Sequence, residues 1–406
     1  MKADLELDEL DLSNPDSFSA GFPHDYFRHL RAEDPVHWHE GDIHGGPGYW
    51  VIAKYDDLKW VSKNPRLFIS GQGNLIEDPA PGELDVARSM ITMDPPDHQR
   101  FRKLVSAGFT PRHVDGHEDR VREIVCEILD SVVHKGRCEF VAEVAAELPL
   151  RVICEFLGVA PNDRQQVFEL SNRMLGSEDP EYGNSRAHAA AAGIQMFQFA
   201  YKLLVARRAE PRDDLVTALI TGEVEGKKIS DLEFGSFFLL LAIAGNETTR
   251  NLISHGVRLL IANPEARDAL RRDPSLIPSA VEEMLRMSAP VMYFRRLATQ
   301  DVELRGRVIR AGQKVTLWYP SANRDEEHFS DPDRFDIRRD PNDHLAFGVG
   351  QHFCLGAHLA RLEIRVMFEE LLQRLPDIEL ESEPRLLRSH FIDGVKSMPV
   401  RFSRAS

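Results

Sequence analysis

The sequence predicts a mainly α protein with a minor β region, and three observations carry that expectation. Apolar residues recur at helical spacing through much of residues 112–220, as in VREIVCEILDSVV and LPLRVICEFLGV. The stretch from Ser230 to about Ala262 supports one long helix that is apolar on most sides. Strand-like segments are short and few: YWVIA, VELRG, KVTLWY and FIDGVKSMPVRF.

Composition bounds the protein class. A length of 406 residues by itself suggests two or three domains. Hydrophobic content of 42% and charged content of 28% are those of a soluble globular protein with a large core. A net charge of −15 argues against a nucleic-acid partner, which needs clustered Lys and Arg. Cys126, Cys138, Cys154 and Cys354 form no CxxC pair, so neither a disulfide framework nor a zinc module is indicated. The N-terminus, MKADLELDELDL, lacks the cationic flank and apolar core of a signal peptide. The longest apolar run, Phe237 to Ala244, falls far short of the ~20 residues that span a bilayer. A cytoplasmic protein with no membrane span is expected.

Taken in order, residues 1–20 form a lead-in expected to be poorly ordered, and no convincing linker divides 21–406. DYFRHLR suggests a short helix and YWVIA a strand. Residues Arg66 to Met93 show no clear period, which at that length suggests a functional loop. After Pro95-Pro96 a helix begins, with His98 and Arg102 four apart on one face. By spacing alone this is a solvated basic face shared with Arg100 and Lys103. Gly176 to Gly183 joins two helices, the second alanine-rich.

Ser230-Asp231-Leu232-Glu233 is a capping box, and Pro264 ends the helix it opens. That helix is about 32 residues, or ~48 Å, long. AGNETT interrupts its apolar run. Gly245 costs ~1 kcal/mol relative to alanine there, and Glu247, Thr248 and Thr249 place polar groups where burial is expected. An exposed polar turn is the plainer alternative, but apolar residues resume at Leu252 and Ile253. Local rules broken without structural gain mark a functional site.

The last motif is FGVGQHFCLGAHLAR, Phe347 to Arg361. Gly348 and Gly350 serve a tight turn or a close approach. Leu355, Leu359, Leu362 and Val366 then fall at helical spacing, so Cys354 sits where a loop becomes a helix. Amides at a helix start favour thiolate over thiol. On these residues alone Cys354 is a nucleophile, a zinc ligand or an axial haem ligand, with His352 and His358 nearby.

FGVGQHFCLG matches, position for position, the haem signature FxxGxxxCxG and its bacterial form FGxGxHxCxG, so the chain resembles the cytochrome P-450 family. The resemblance runs from about residue 20 to the C-terminus, with five motifs in the family's order. It implies a single domain with the cytochrome P-450 fold, a triangular helical prism whose long central helix lies over haem b. Cys354 would be the axial thiolate on the haem iron, with Phe347, Gly348 and Gly356 in the loop around it. His98 and Arg102 (HxxxR), Arg296 (RxA) and His352 would bond the propionates. AGNETT resembles the central-helix motif in which Thr248 and Glu247 deliver protons for O2 activation, while Ala244 and Gly245 leave room for a kink or groove. Glu283 and Arg286 (ExxR) with Arg334 (PDRF) would form a buried structural network.

The implied function is a haem-thiolate monooxygenase that hydroxylates an unactivated C–H bond with O2. Electrons would come from a ferredoxin with its ferredoxin reductase. A basic patch of Arg102, Lys103, Arg361 and Arg365 would face that partner. AGNETTRNLISHG, FRRLATQDVELRG and LWYPSANRDEEHF resemble the bacterial subgroup that oxidises sterol side chains, terpenoids and methyl-branched lipids. The implied substrate-lining positions, Ile76, Leu240, Ala244, Val291, Met292, Phe294 and Ile392, are all apolar. Peroxide-driven chemistry, isomerisation or ligand sensing on the same scaffold is the alternative. The Glu247-Thr248 pair argues against it, because only an oxygenase must deliver protons to O2.

Overall fold

Ser230 Oγ accepts the Glu233 amide while the Glu233 carboxylate accepts the Ser230 amide, and this reciprocal cap starts a helix from Asp231 to Ala262. The expected span is reproduced at both ends, and Pro264 opens the next helix. The computed structural model describes residues 10–41, 46–79, 89–175, 178–182, 186–212 and 214–403. The helices Glu147–Phe156, Arg164–Leu175, Arg186–Ala209, Ile277–Met287 and Ala357–Arg374 pack against this central helix. Gly235 permits one of these crossings, since a Cβ there would collide with the Phe197 ring. The helix stays unbroken through AGNETT. At Gly245 an added Cβ would lie 3.1 Å from Ile153, so glycine here permits close packing of the helix Glu147–Phe156.

Among the described residues one segment, Ala187–Ala209, is long and apolar enough by length and composition to cross a membrane, although polar residues interrupt it into short apolar runs. It lies along the central helix and Arg164–Leu175. Ala192, Met196, Ala200 and Leu204, each one turn apart, are fully buried in that packing.

The β region centres on a five-stranded sheet in the order Val36–His39, Tyr49–Ile52, Lys314–Trp318, Tyr293–Ala298, Phe68–Ile69. Lys314–Trp318 pairs parallel to Tyr49–Ile52, and the other pairs are antiparallel. Tyr49–Ile52 is buried at every position, which is why YWVI reads as a continuous apolar run. In Tyr293–Ala298 the alternation of a strand sends Phe294 and Arg296 to one face and Tyr293 and Arg295 to the other.

Two expectations change. Within the supposed lead-in, Leu12 and Phe18 are buried, and Phe18 stacks on Trp318 with ring centroids 5.9 Å apart. Their apolar surface pins residues 10–20 despite the acidic composition around them; residues 1–9 lie outside the described residues, as do 80–88, 176–177 and 183–185 of the two loops. The ExxR network also has a different third member. Arg286 donates to Glu283 from Nε at 2.7 Å and Nη2 at 2.8 Å, and both residues are fully buried. The second cation on Glu283 is Arg339, with Nε 3.1 Å from Oε2. Arg334 joins through its carbonyl, which accepts from Arg286 and from Arg339 at 3.2 Å each. A turn closed by the Arg339 amide on Asp336 O carries the later arginine back to the carboxylate.

Candidate active site

The loop before Cys354 is shaped by two glycines in the left-handed region, Gly348 at φ 70° and Gly350 at φ 80°. At Gly350 a Cβ would come within 2.8 Å of the Ser62 carbonyl oxygen, a backbone atom with no rotamer to escape through. The Cys354 amide donates to Phe347 O at 2.9 Å, and the Gly356 amide donates to the Cys354 sulfur. The helix Ala357–Arg374 follows at once. Burial pushes the Cys354 thiol up, against the Gly356 amide, Arg102 and Arg361, which favour thiolate. Helix-start amides were expected to win this balance. They do not, because dehydration costs the anion more than one amide returns. A coordinated cation would deprotonate the thiol.

Arg361 holds the loop from behind. Its guanidinium lies 4.5 Å over the Phe347 ring and donates twice to Glu282 at 2.7 Å. Burial opposes ionisation of Glu282, but Arg361 and His344 outweigh it and hold the carboxyl near 2. Arg365 is paired with Glu118 and Glu369, and Lys103 with Glu225 at 3.6 Å. Of the expected basic patch, these three cations each stand beside a carboxylate, and Arg102 is half-buried with Nη1 on the Gln351 carbonyl.

His98, Arg102, Arg296 and His352 converge beside that loop. His98 and His352 lie with ring centroids 4.3 Å apart. Both nitrogens of buried His98 are without a hydrogen-bond partner. Burial, then Arg102 and Arg296, lower the His98 imidazole to about 4; burial, then Arg296, His98 and Arg102, lower His352 to about 2. Asp94 is the nearby acid, and it is engaged by the Ser70 and Gly71 amides at 2.8 and 2.7 Å. Four cationic or imidazole groups thus face one another with little anionic compensation. Such a set is complete only with an anion among them.

On the central helix Ala244 is exposed, although it sits mid-helix in the core, and Leu240, Ile243 and Thr248 are partly so. This face borders an interior space. Thr248 Oγ1 donates to Ala244 O at 2.6 Å, which leaves the oxygen free to accept. Glu247 is buried and accepts from Arg250 and, at 3.1 Å, from Asn251; Arg250 in turn donates to Asn172 at 3.1 Å. Val291 and Phe294 are partly accessible as well, and Ile392, bridged to Val291, is buried. Ile76 and Met292, expected to line the pocket, have at most 1% of their surface exposed and pack with Leu12, Phe18 and Trp318.

The cytochrome P450 family model matches residues 119–386. The chain belongs to the cytochrome P450 family. It is 43% identical over 99% of its length to a methyl-branched lipid omega-hydroxylase of Mycobacterium tuberculosis, of which 95% is covered. It is 39% identical over 98% of its length to a steroid C26-monooxygenase of Rhodococcus jostii, with 85% of that protein covered. A solved structure of a Mycobacterium marinum cytochrome P450 in complex with pseudoionone superposes with a TM-score of 0.92 at 40% identity, covering 97% of this chain and 99% of the other.

This P450 is therefore a monooxygenase of the mainly α P450 fold that uses haem iron and O2 with a redox partner. Its residues fit a haem. Cys354 offers a sulfur whose thiolate needs a cation, and the unpartnered His98 nitrogens with Arg102, Arg296 and His352 suit propionate anions. Sequence reasoning missed several residues that position the site. Arg295 donates to the carbonyls of Gln72, Leu75 and Glu77 at 2.7, 3.2 and 3.0 Å and so shapes the loop over the pocket. Arg250 and Asn251 lie one turn beyond Glu247, a spacing that could have flagged them as its partners.

Proposed function

We propose that this P450 hydroxylates an allylic or terminal methyl carbon of a terpenoid, steroid or methyl-branched lipid. The observation that carries the proposal is the apolar accessible face of Leu240, Ala244, Val291 and Phe294, with no charged side chain among these positions. Burying an isoprenoid-sized molecule against it gains ~25 cal/mol per Å² of apolar surface. The names of the two relatives, a branched-lipid hydroxylase and a steroid monooxygenase, and the neighbour solved with pseudoionone support the same class.

In this reading Cys354 would hold haem b through its sulfur, with Phe347, Gly348 and Gly356 shaping the loop, and Ala244, exposed on the central helix, would leave space for it. His98, Arg102, Arg296 and His352 bind the propionates. The haem, when bound, supplies O2 activation and one-electron chemistry. The chain's own part is to place the carbon, exclude water and move protons. Thr248 Oγ1, its hydrogen directed at Ala244 O, accepts a hydrogen bond from a water in the cavity. Glu247 passes protons to that water by turning away from Arg250 and Asn251. A cytoplasmic ferredoxin, reduced by its reductase, supplies the electrons.

Titration of the purified holoprotein with terpenoids, sterols and branched fatty acids, read by haem spin state, tests the proposal. Members of the panel should drive the iron toward high spin, and product analysis should find a hydroxylated methyl group. Silence across the panel with tight binding of a small aromatic acid would overturn it.

A further inference from the structure

His390 is buried at 2% exposure and stands between two carboxylates from different segments. Its Nδ1 is 2.7 Å from Glu178 Oε1 and its Nε2 is 3.5 Å from Glu77 Oε1. Its own amide donates to Glu178 Oε2 at 3.3 Å. Glu77 belongs to the stretch held by Arg295, and Glu178 to the turn after the helix Arg164–Leu175. His390 itself begins the turn carrying Phe391 and Ile392. The Phe391 carbonyl accepts the Met292 amide at 2.9 Å, its ring lies 5.8 Å from Phe294, and Ile392 bridges Val291. One side chain thus faces a carboxylate from each of two segments and adjoins the turn that packs on Phe294 and Val291.

We propose that His390 is a positioning residue for substrate binding: as an imidazolium it latches the Glu77 segment and the Glu178 turn onto the wall turn that carries Phe391 and Ile392. This inference rests on the pocket reading above. The other charges at the junction are committed elsewhere. Asp78 pairs with Arg295 and Lys314, each at 2.8 Å, Asp179 pairs with Lys396 at 2.8 Å, and Arg388 donates to Glu178 O at 2.6 Å. Tyr293 covers one ring face at 5.8 Å. Burial opposes the charge on His390, but Glu178 and Glu77 outweigh it and raise the imidazole from 6.5 to about 9. A raised histidine contributes fully below 6.5, and the contribution is lost as pH climbs through about 9. Each ring nitrogen faces a carboxylate as an ion pair and neither makes a well-directed hydrogen bond, so the contact is one of charge.

The test is hydrogen–deuterium exchange on the holoprotein for the wild type, His390→Gln, Glu178→Gln and Glu77→Gln. At pH 7 the variants should lose protection about tenfold or more in residues 70–79, 178–182 and 389–393. The Cys354 loop should be unchanged, as should the reduced carbon-monoxide spectrum. The wild-type-to-variant ratio should fall toward one above pH 9. With a substrate from the panel, KM should rise about fivefold or more while kcat stays within about twofold. Unchanged protection in the three segments, equal loss everywhere, or a latch that persists above pH 9 only with added zinc would overturn the proposal. The exchange arm needs no substrate, so failure of the panel and failure of the latch are separate results.

Discussion

At the scale of single residues, the proton path we propose runs through the polar turn in the central helix. Glu247 is already paired with Arg250 and Asn251, so its carboxylate must leave a buried ion pair to reach the Thr248 side. In the proposed path such a group would be a gated donor and not a freely exchanging one. Thr248→Ala should leave haem and substrate binding nearly intact while electrons are diverted to hydrogen peroxide. Glu247→Gln, which keeps the volume and removes the charge, should slow turnover by about 10²-fold. Peroxide yield and product formed per O2 consumed read both effects. Unchanged coupling and rate in the two variants would remove these residues from the proton path. Thr248 and Glu247 were legible in the sequence because they break an apolar run; Arg250 was not, because an arginine one turn away is equally consistent with a solvated face.

At the scale of elements, the helix Ile277–Met287 governs the loop that presents Cys354. Its Glu283 accepts from Arg286, Arg339, Asn342 and the Asp336 amide, and Arg286 reaches the Asn323 and Pro332 carbonyls at 2.8 and 2.7 Å. Asn323 Oδ1 in turn accepts the Leu345 amide at 2.7 Å, two residues before Phe347. Glu283→Gln leaves two guanidiniums facing a neutral amide in a dry site. We expect a loss of about 3–5 kcal/mol in stability, measured by urea unfolding, together with poor haem retention. A loss below about 1 kcal/mol would show that the network is dispensable. ExxR was visible as a pair, but which later arginine closes the network depended on a turn at residues 336–339 that spacing does not encode.

At the scale of the whole molecule, the P450 brings two guanidiniums and two imidazoles from three distant segments to one place. His98 comes from the helix Asp97–Ser106, tied to the central helix by Arg100–Glu233 at 2.6 Å; Arg296 comes from the sheet and His352 from the Cys354 loop. Without a bound anion, the chain keeps the His98 imidazole at about 4, below its ordinary 6.5. A lowered histidine means that the unfolded chain binds more protons between those values, so stability falls as pH falls from 6.5 toward 4. Propionates would oppose that shift. The haem-free protein should therefore lose thermal stability more steeply than the holoprotein between pH 6.5 and 4. Parallel unfolding midpoints across that range would mean that no anion meets His98.

Sequence alone determined the long central helix from its cap at Ser230 to the stop at Pro264, because a capping box, an apolar run and a proline are local instructions. It also determined the Cys354 loop, where Gly348 and Gly350 require backbone that other residues rarely adopt. The packing of residues 10–20, the capture of Arg361 and Arg365 by carboxylates, the withdrawal of Ile76 and Met292 from the accessible wall, and the junction at His390 were decided by tertiary structure. Each depends on partners far apart in sequence, from Arg361 with Glu282 to His390 with Glu77 and Glu178. The worth of a charge or an apolar side chain is set by what the fold brings against it and how much water it removes.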